Sequence, residues 1–118
     1  MISRLSQLFR VLFLFVCRFA WRITGLRSAG WRLVRALRSR DETVRTVAGI
    51  FLVREGDRAV PLLHEALHRR ESTEMTLRIL GDIGDPNSEP ELARFADDAD
   101  EDVAQAARDA LENLRLNS

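Results

Sequence analysis

Wound at about 3.6 residues per turn, residues 3–24 sort into two sides. Leu5, Leu8, Phe9, Leu12, Phe13, Phe15, Val16, Phe19 and Ile23 fall on one broad arc. Ser3, Arg4, Gln7, Arg10, Arg18 and Arg22 gather opposite, with Val11, Leu14 and Trp21 intruding among them. This pattern predicts an amphipathic helix over 3–23 with a wide apolar face and a narrow basic one. Farther along, Val44, Val47, Ala48, Phe51 and Leu52 share one face of a helix expected over 42–54. Leu62, Leu63, Ala66 and Leu67 do the same over 58–69, and Met75, Ile79, Leu80 and Ile83 over 72–83. Val103, Ala106, Ala107, Ala110, Leu111 and Leu114 line a last helix over 101–115, and shorter helices are expected over 27–39 and 88–97. No stretch sustains period-two alternation, so no strand is expected and the fold class is all-α.

The helices recur with a period of about 30 residues. Leu33-Val34-Arg35-Ala36-Leu37 is followed by Leu63-His64-Glu65-Ala66-Leu67 and then by Leu92-Ala93-Arg94-Phe95-Ala96. An acidic turn follows each copy: Asp41-Glu42, Glu71-Ser72 and Asp100-Glu101-Asp102. Between them stand Gly56-Asp57 and Gly84-Asp85-Pro86. The glycines suit left-handed helix ends. Asp41, Asp57, Asp85 and Asp100 are expected N-caps, their carboxylates accepting from free backbone N–H groups. Pro86 fits a first helical position, where its missing N–H costs little.

Several strings carry a resemblance to a known family: Leu33-Val34-Arg35-Ala36-Leu37 with Asp41-Glu42-Thr43-Val44-Arg45, Gly56-Asp57 with Val60-Pro61-Leu62-Leu63, Leu80-Gly81-Asp82-Ile83-Gly84-Asp85-Pro86, and Asp102-Val103 with Ala106-Ala107. Over about residues 30–116 the chain resembles HEAT-like repeats of the phycobilisome-lyase type. In later copies Glu74-Met75 and Val103-Ala104 stand where Val44-Arg45 stands in the first. The resemblance implies a short α-solenoid of antiparallel helix pairs and a binding role; it does not imply lyase chemistry, because a fold does not determine a function. The expected organisation is an N-terminal amphipathic anchor over 1–25 and a repeat domain over 26–118.

The arc over 3–23 needs a cover. Burying a large apolar side chain is worth about 1.5–3 kcal/mol, so nine left in water would forgo more than about 10 kcal/mol, as much as a whole domain's stability. Three covers are open. A membrane-spanning helix wants about 20 mostly apolar residues, whereas Arg10 and Arg18 bracket the run Val11 to Cys17. An in-plane interfacial helix would seat the arc in the acyl boundary, with Arg10, Arg18 and Arg22 among anionic headgroups and Trp21 and Trp31 at interface depth. In the third, the helix packs on its own repeats or on a partner protein. A cleaved signal peptide is not expected, since Phe19-Ala20-Trp21 lacks the small-x-small pattern.

Charge sharpens the picture. The 118 residues carry 18 basic and 18 acidic side chains, and every basic one is Arg. Residues 1–40 hold nine arginines and no acid, leaving nine against 18 acids over 41–118, a net of −9. Such asymmetry points to an interaction arm on a separate body. The acidic body repels phosphate, which speaks against nucleic acid as partner. Cys17, the single cysteine, excludes an internal disulfide and a multi-thiolate zinc site, and reads as a small hydrophobe.

His64-Glu65-Ala66-Leu67-His68 matches H-E-x-x-H, which on a helix brings two imidazoles to one face with a Glu placed as general base. The same five residues fill a repeat position, with Leu63, Ala66 and Leu67 facing inward and His64, Glu65 and His68 outward. His64 and His68 are therefore weak metal candidates, with Glu89 or Glu91 as the third ligand a hydrolase would need. The cluster Asp97, Asp98, Asp100, Glu101 and Asp102 lacks the spacing of an EF-hand loop and reads as a solvated turn. No catalytic residue and no cofactor is expected. Ile50 and Val53 lie off the main face of their helix and are candidates either for packing between repeats or for a protein-binding groove.

The resulting expectation is a non-catalytic binding or assembly subunit. Its partner is another protein or complex, and it is held at the cytoplasmic side of a membrane or on a membrane protein through the first helix. The alternatives are a soluble cytoplasmic adaptor with that helix packed on the repeats and, behind it, a metal-dependent hydrolase.

Overall fold

The computed structural model describes residues 2–24 and 27–117, with side chains from Arg4 to Arg22 and from Ala29 to Asn117. Among them are seven α-helices and no strand: α1 (Ile2–Thr24), α2 (Arg27–Ala36), α3 (Glu42–Glu55), α4 (Val60–His68), α5 (Thr73–Ile83), α6 (Glu89–Phe95) and α7 (Glu101–Leu116). Two 3₁₀ turns, Gly56–Arg58 and Pro86–Ser88, precede α4 and α6. The chain divides into two compact units, Met1–Leu52 and Val53–Ser118, the division falling within α3.

The punctuation of the sequence acts mostly as expected. Asp41 Oδ1 accepts the Thr43 amide at 2.9 Å at the start of α3, and Asp100 Oδ1 accepts the Asp102 amide at 3.0 Å at the start of α7. Asp85 Oδ1 takes the Asn87 amide at 3.0 Å, capping the turn that Pro86 opens. Gly56 and Gly84 adopt φ of +58° and +75°, the left-handed region in which a side chain is strained. Asp57 departs from expectation. It lies inside the 3₁₀ turn, and the residue before α4 is Ala59, in right-handed conformation with no side-chain cap. The chain re-enters a helical path straight after Gly56, which leaves no extended residue for a cap to occupy. α2 stops at Ala36, three residues short of the expected end, where Leu37, Arg38 and Ser39 close tighter bonds to carbonyls three residues back.

In the first unit α1 packs on α2. The core is built from Leu14, Cys17 and Trp21 of α1, then Ala29, Leu33, Val34 and Leu37, then Val44, Ala48, Phe51 and Leu52. Gln7 Nε2 donates to Asp41 Oδ1 at 3.0 Å, tying α1 to the turn before α3 and holding that carboxyl below its ordinary pKa. In the second unit α4 packs on α5, α6 on α7, and α5 on α7. Leu62, Leu63, Ala66 and Leu67 are buried as read from the pattern, as are Val103, Ala106, Ala107, Ala110 and Leu114. Val47, Met75, Ile83 and Leu111, expected inside, are only half-buried. In α5 the deepest positions are Leu77, Leu80, Thr76 and Gly81, because this helix is covered on two sides, by α4 and by α7.

Candidate functional site: the outward face of α1

α1 turns its broad apolar arc outward. Leu5, Leu8, Phe9, Leu12, Phe13, Phe15, Val16 and Phe19 remain between 49% and 67% exposed. The buried stripe is Leu14, Cys17 and Trp21, spaced i, i+3, i+7 on the opposite side of the helix. Leu14 and Trp21, two of the three residues that interrupt the basic face in the sequence, thus belong with Cys17 to the buried side of α1, while Val11 is half-buried. Trp21, expected at a membrane interface, is instead a core residue at 4% exposure, and Trp31 is half-buried. The side chain of Ile23 lies outside the described residues. Cys17 is the small hydrophobe expected of it, and burial raises its thiol pKa.

The arginines flank the stripe rather than the centre of the arc. Arg4, Arg10 and Arg22 are exposed and Arg18 is half-buried. The Arg18 guanidinium lies 4.9 Å from the centroid of the Phe51 ring, and Arg32 of α2 lies 5.3 Å from that of Phe13, distances at which cation and ring attract. Phe15 meets Phe51 edge-on with centroids 4.7 Å apart. The Met1–Leu52 unit as a whole carries ten arginines against only Asp41 and Glu42, a net of +8. The Val53–Ser118 unit carries eight arginines against 16 acids, a net of −8. The exposed apolar arc therefore belongs to the strongly cationic half of the chain. No described helix is long and apolar enough to cross a membrane. α1 has sufficient length at about 1.5 Å per residue, but Arg10 and Arg18 interrupt its apolar character.

The histidine pair resolves differently. His64 is half-buried rather than outward-facing, and its Nε2 shares a 3.0 Å hydrogen bond with the hydroxyl of Ser88, which is fully buried ahead of α6. Burial lowers the His64 pKa, against the opposing pull of the Glu91 and Asp85 carboxylates. His68 is exposed and lies 3.4 Å from Glu91 Oε1, whose other oxygen pairs with Arg94 at 3.2 Å. The two rings thus serve as links from α4 to α6. Among the described residues no three His, Cys, Asp or Glu side chains converge as a metal-ligand set. In the expected acidic turn, Asp98 Oδ2 accepts the Asp100 amide at 3.0 Å and its Oδ1 takes Arg70 at 2.9 Å. Arg70 holds a left-handed φ of +52° and stacks 5.6 Å from the Phe95 ring centroid. On α3, Ile50 is 48% exposed and Val53 half-buried.

The sequence pattern did not reveal the bond between His64 and Ser88, 24 residues apart, or that between Gln7 and Asp41, 34 apart. The approach of Gly81 to Ala110 had a partial signal in the small residues Ala106, Ala107 and Ala110 of the last helix. No family model, curated protein or solved structure matches this chain.

Proposed function

We propose that this chain is a non-catalytic binding or assembly subunit that seats on an anionic membrane surface through α1. One observation carries the reading: eight large apolar side chains of one helix stand between 49% and 67% exposed, opposite the stripe by which that helix packs. Each would gain about 1 kcal/mol or more on losing its remaining contact with water. The arc would lie in the acyl boundary with its axis parallel to the surface, and the arginines of the +8 unit would meet headgroup phosphates. This orientation needs no interfacial tryptophan on α1.

The Val53–Ser118 unit reads as a short HEAT-like stack that presents a protein-binding body. Support comes from its contacts: α4 on α5, α6 on α7, α5 on α7, with His64 and His68 of α4 reaching Ser88 and Glu91 at α6. In this reading the first helices of each pair would form one layer and the second helices the other, as stacking of repeats requires. On the Met1–Leu52 side, exposed Ile50 on α3 is the apolar point we assign to protein contact.

Co-sedimentation tests the membrane reading. The full chain is expected to pellet with anionic vesicles and much less with zwitterionic ones. Phe9→Ser with Phe19→Ser should leave it in the supernatant with its melting temperature unchanged. A wild-type chain that stays monomeric and indifferent to every vesicle would overturn the reading in favour of a soluble adaptor.

A further inference from the structure

Pro86, Glu89 and Ala93 on one side and Leu111, Leu114 and Arg115 on the other line a groove of about 310 Å³ along α6 and α7. Its large apolar lining is Leu114, buried, and Leu111, half-buried; Ala93 between the charged rims is small and exposed. Glu89 and Arg115 balance each other in charge, and exposed Glu112, three residues before Arg115 and so its neighbour on the helix surface, adds a negative rim. The groove lies in the Val53–Ser118 unit, whose net charge is −8.

An apolar groove in acidic surroundings fits a helix that carries apolar anchors at i, i+3, i+4 and i+7 with cationic side chains beside them. The N-terminal half of α1 has that form. Leu5, Leu8, Phe9 and Leu12 stand at this spacing and are all exposed, Phe9 the most at 67%. Arg4 and Arg10 are exposed next to them, in a unit of net charge +8. Two copies meeting through α1 alone would set +8 against +8, whereas α1 against the groove sets +8 against −8. We propose that the groove along α6 and α7 receives the N-terminal half of α1 from a second copy of this chain. The contact is heterologous, each copy using two different surfaces. Four anchors that are only part exposed place it at the small, transient end of interface sizes. These anchors belong to the arc assigned above to lipid, so seating on a membrane releases the copies from one another. That consequence rests on the membrane reading; the contact itself does not.

The test is sedimentation of the full chain in lipid-free buffer over a rising concentration series. Wild type is expected to associate at high micromolar concentration. Arg4→Glu with Arg10→Glu and, separately, Glu89→Arg with Glu112→Arg should each weaken association about tenfold or more, since each sets like charges against each other. All four positions are exposed. An equal mixture of the two variants should recover association, because the unaltered groove of the first meets the unaltered α1 of the second. Phe9→Ser, which changes no charge, should weaken association with its melting temperature unchanged, and covers the case in which charge reversal disturbs the fold. A wild-type chain that stays monomeric throughout overturns the contact; if that monomer still pellets with anionic vesicles, the membrane reading stands. Association that survives reversal at Glu89 and Glu112 overturns the groove as the receiving surface. A mixture that fails to recover association overturns the pairing of α1 with the groove.

Discussion

At Gly81 the backbone of α5 comes so close to α7 that a β-carbon would lie 2.7 Å from Ala110 Cα and 2.8 Å from its Cβ. Alanine is the better helix former by about 1 kcal/mol, but neither Ala110 atom can swing aside without moving α7. Overpacking of this kind costs about 1–3 kcal/mol, so Gly81→Ala is expected to lower stability despite its propensity gain, read as a reduced denaturant midpoint. An unchanged or raised midpoint would mean that the two helices are farther apart. His64 makes a second residue-scale prediction. Its folded pKa is lowered by burial, so its contribution to stability is fully present above the ordinary histidine value, about 6.5. As pH falls below that value the unfolded chain takes the proton first, and stability is lost until the lowered folded pKa is passed. Melting temperature should therefore drop over that window, and His64→Gln should flatten the drop while His68 is left in place. Equal slopes in the two proteins would remove His64 as the cause.

At the scale of elements, capping chemistry was the most legible part of the fold. Asp41, Asp85 and Asp100 cap, and Gly56 and Gly84 turn, because each acts on backbone within a few residues of itself. Faces were legible in α4 and α7 and blurred in α5, where α4 and α7 bury Thr76 and Leu77 as well. The orientation of α1 was not legible. Periodicity finds an arc, but whether the body covers the arc or its opposite depends on what α2 and α3 offer. Leu14, Cys17 and Trp21 are the ones buried. Leu14→Ala, at 3% exposure, should therefore cost about 2–5 kcal/mol. Thermal denaturation is the check, and a loss well under 1 kcal/mol would show that this stripe is not what holds α1.

For the whole molecule, the division at Leu52 coincides with a change from +8 to −8 in charge. In the proposed reading the cationic half, with its exposed apolar arc, seats on an anionic surface and the acidic half meets a partner protein. The sequence carried that asymmetry openly in its first 40 residues, but it did not reveal which side of the first helix faces out. Because surface charge attraction is screened by salt, initial capture on vesicles should weaken as ionic strength rises while the seated helix resists washing. Site-directed spin labelling tests the seating most directly. Cys17 is buried and its thiol pKa is raised, so labelling of a Leu12→Cys chain falls selectively on the arc. On anionic vesicles the account predicts that a nitroxide at residue 12 becomes accessible to oxygen and shielded from a water-soluble nickel complex, while one at exposed Arg38 stays open to nickel. A label at residue 12 that remains fully accessible to nickel in the presence of bound vesicles would contradict it.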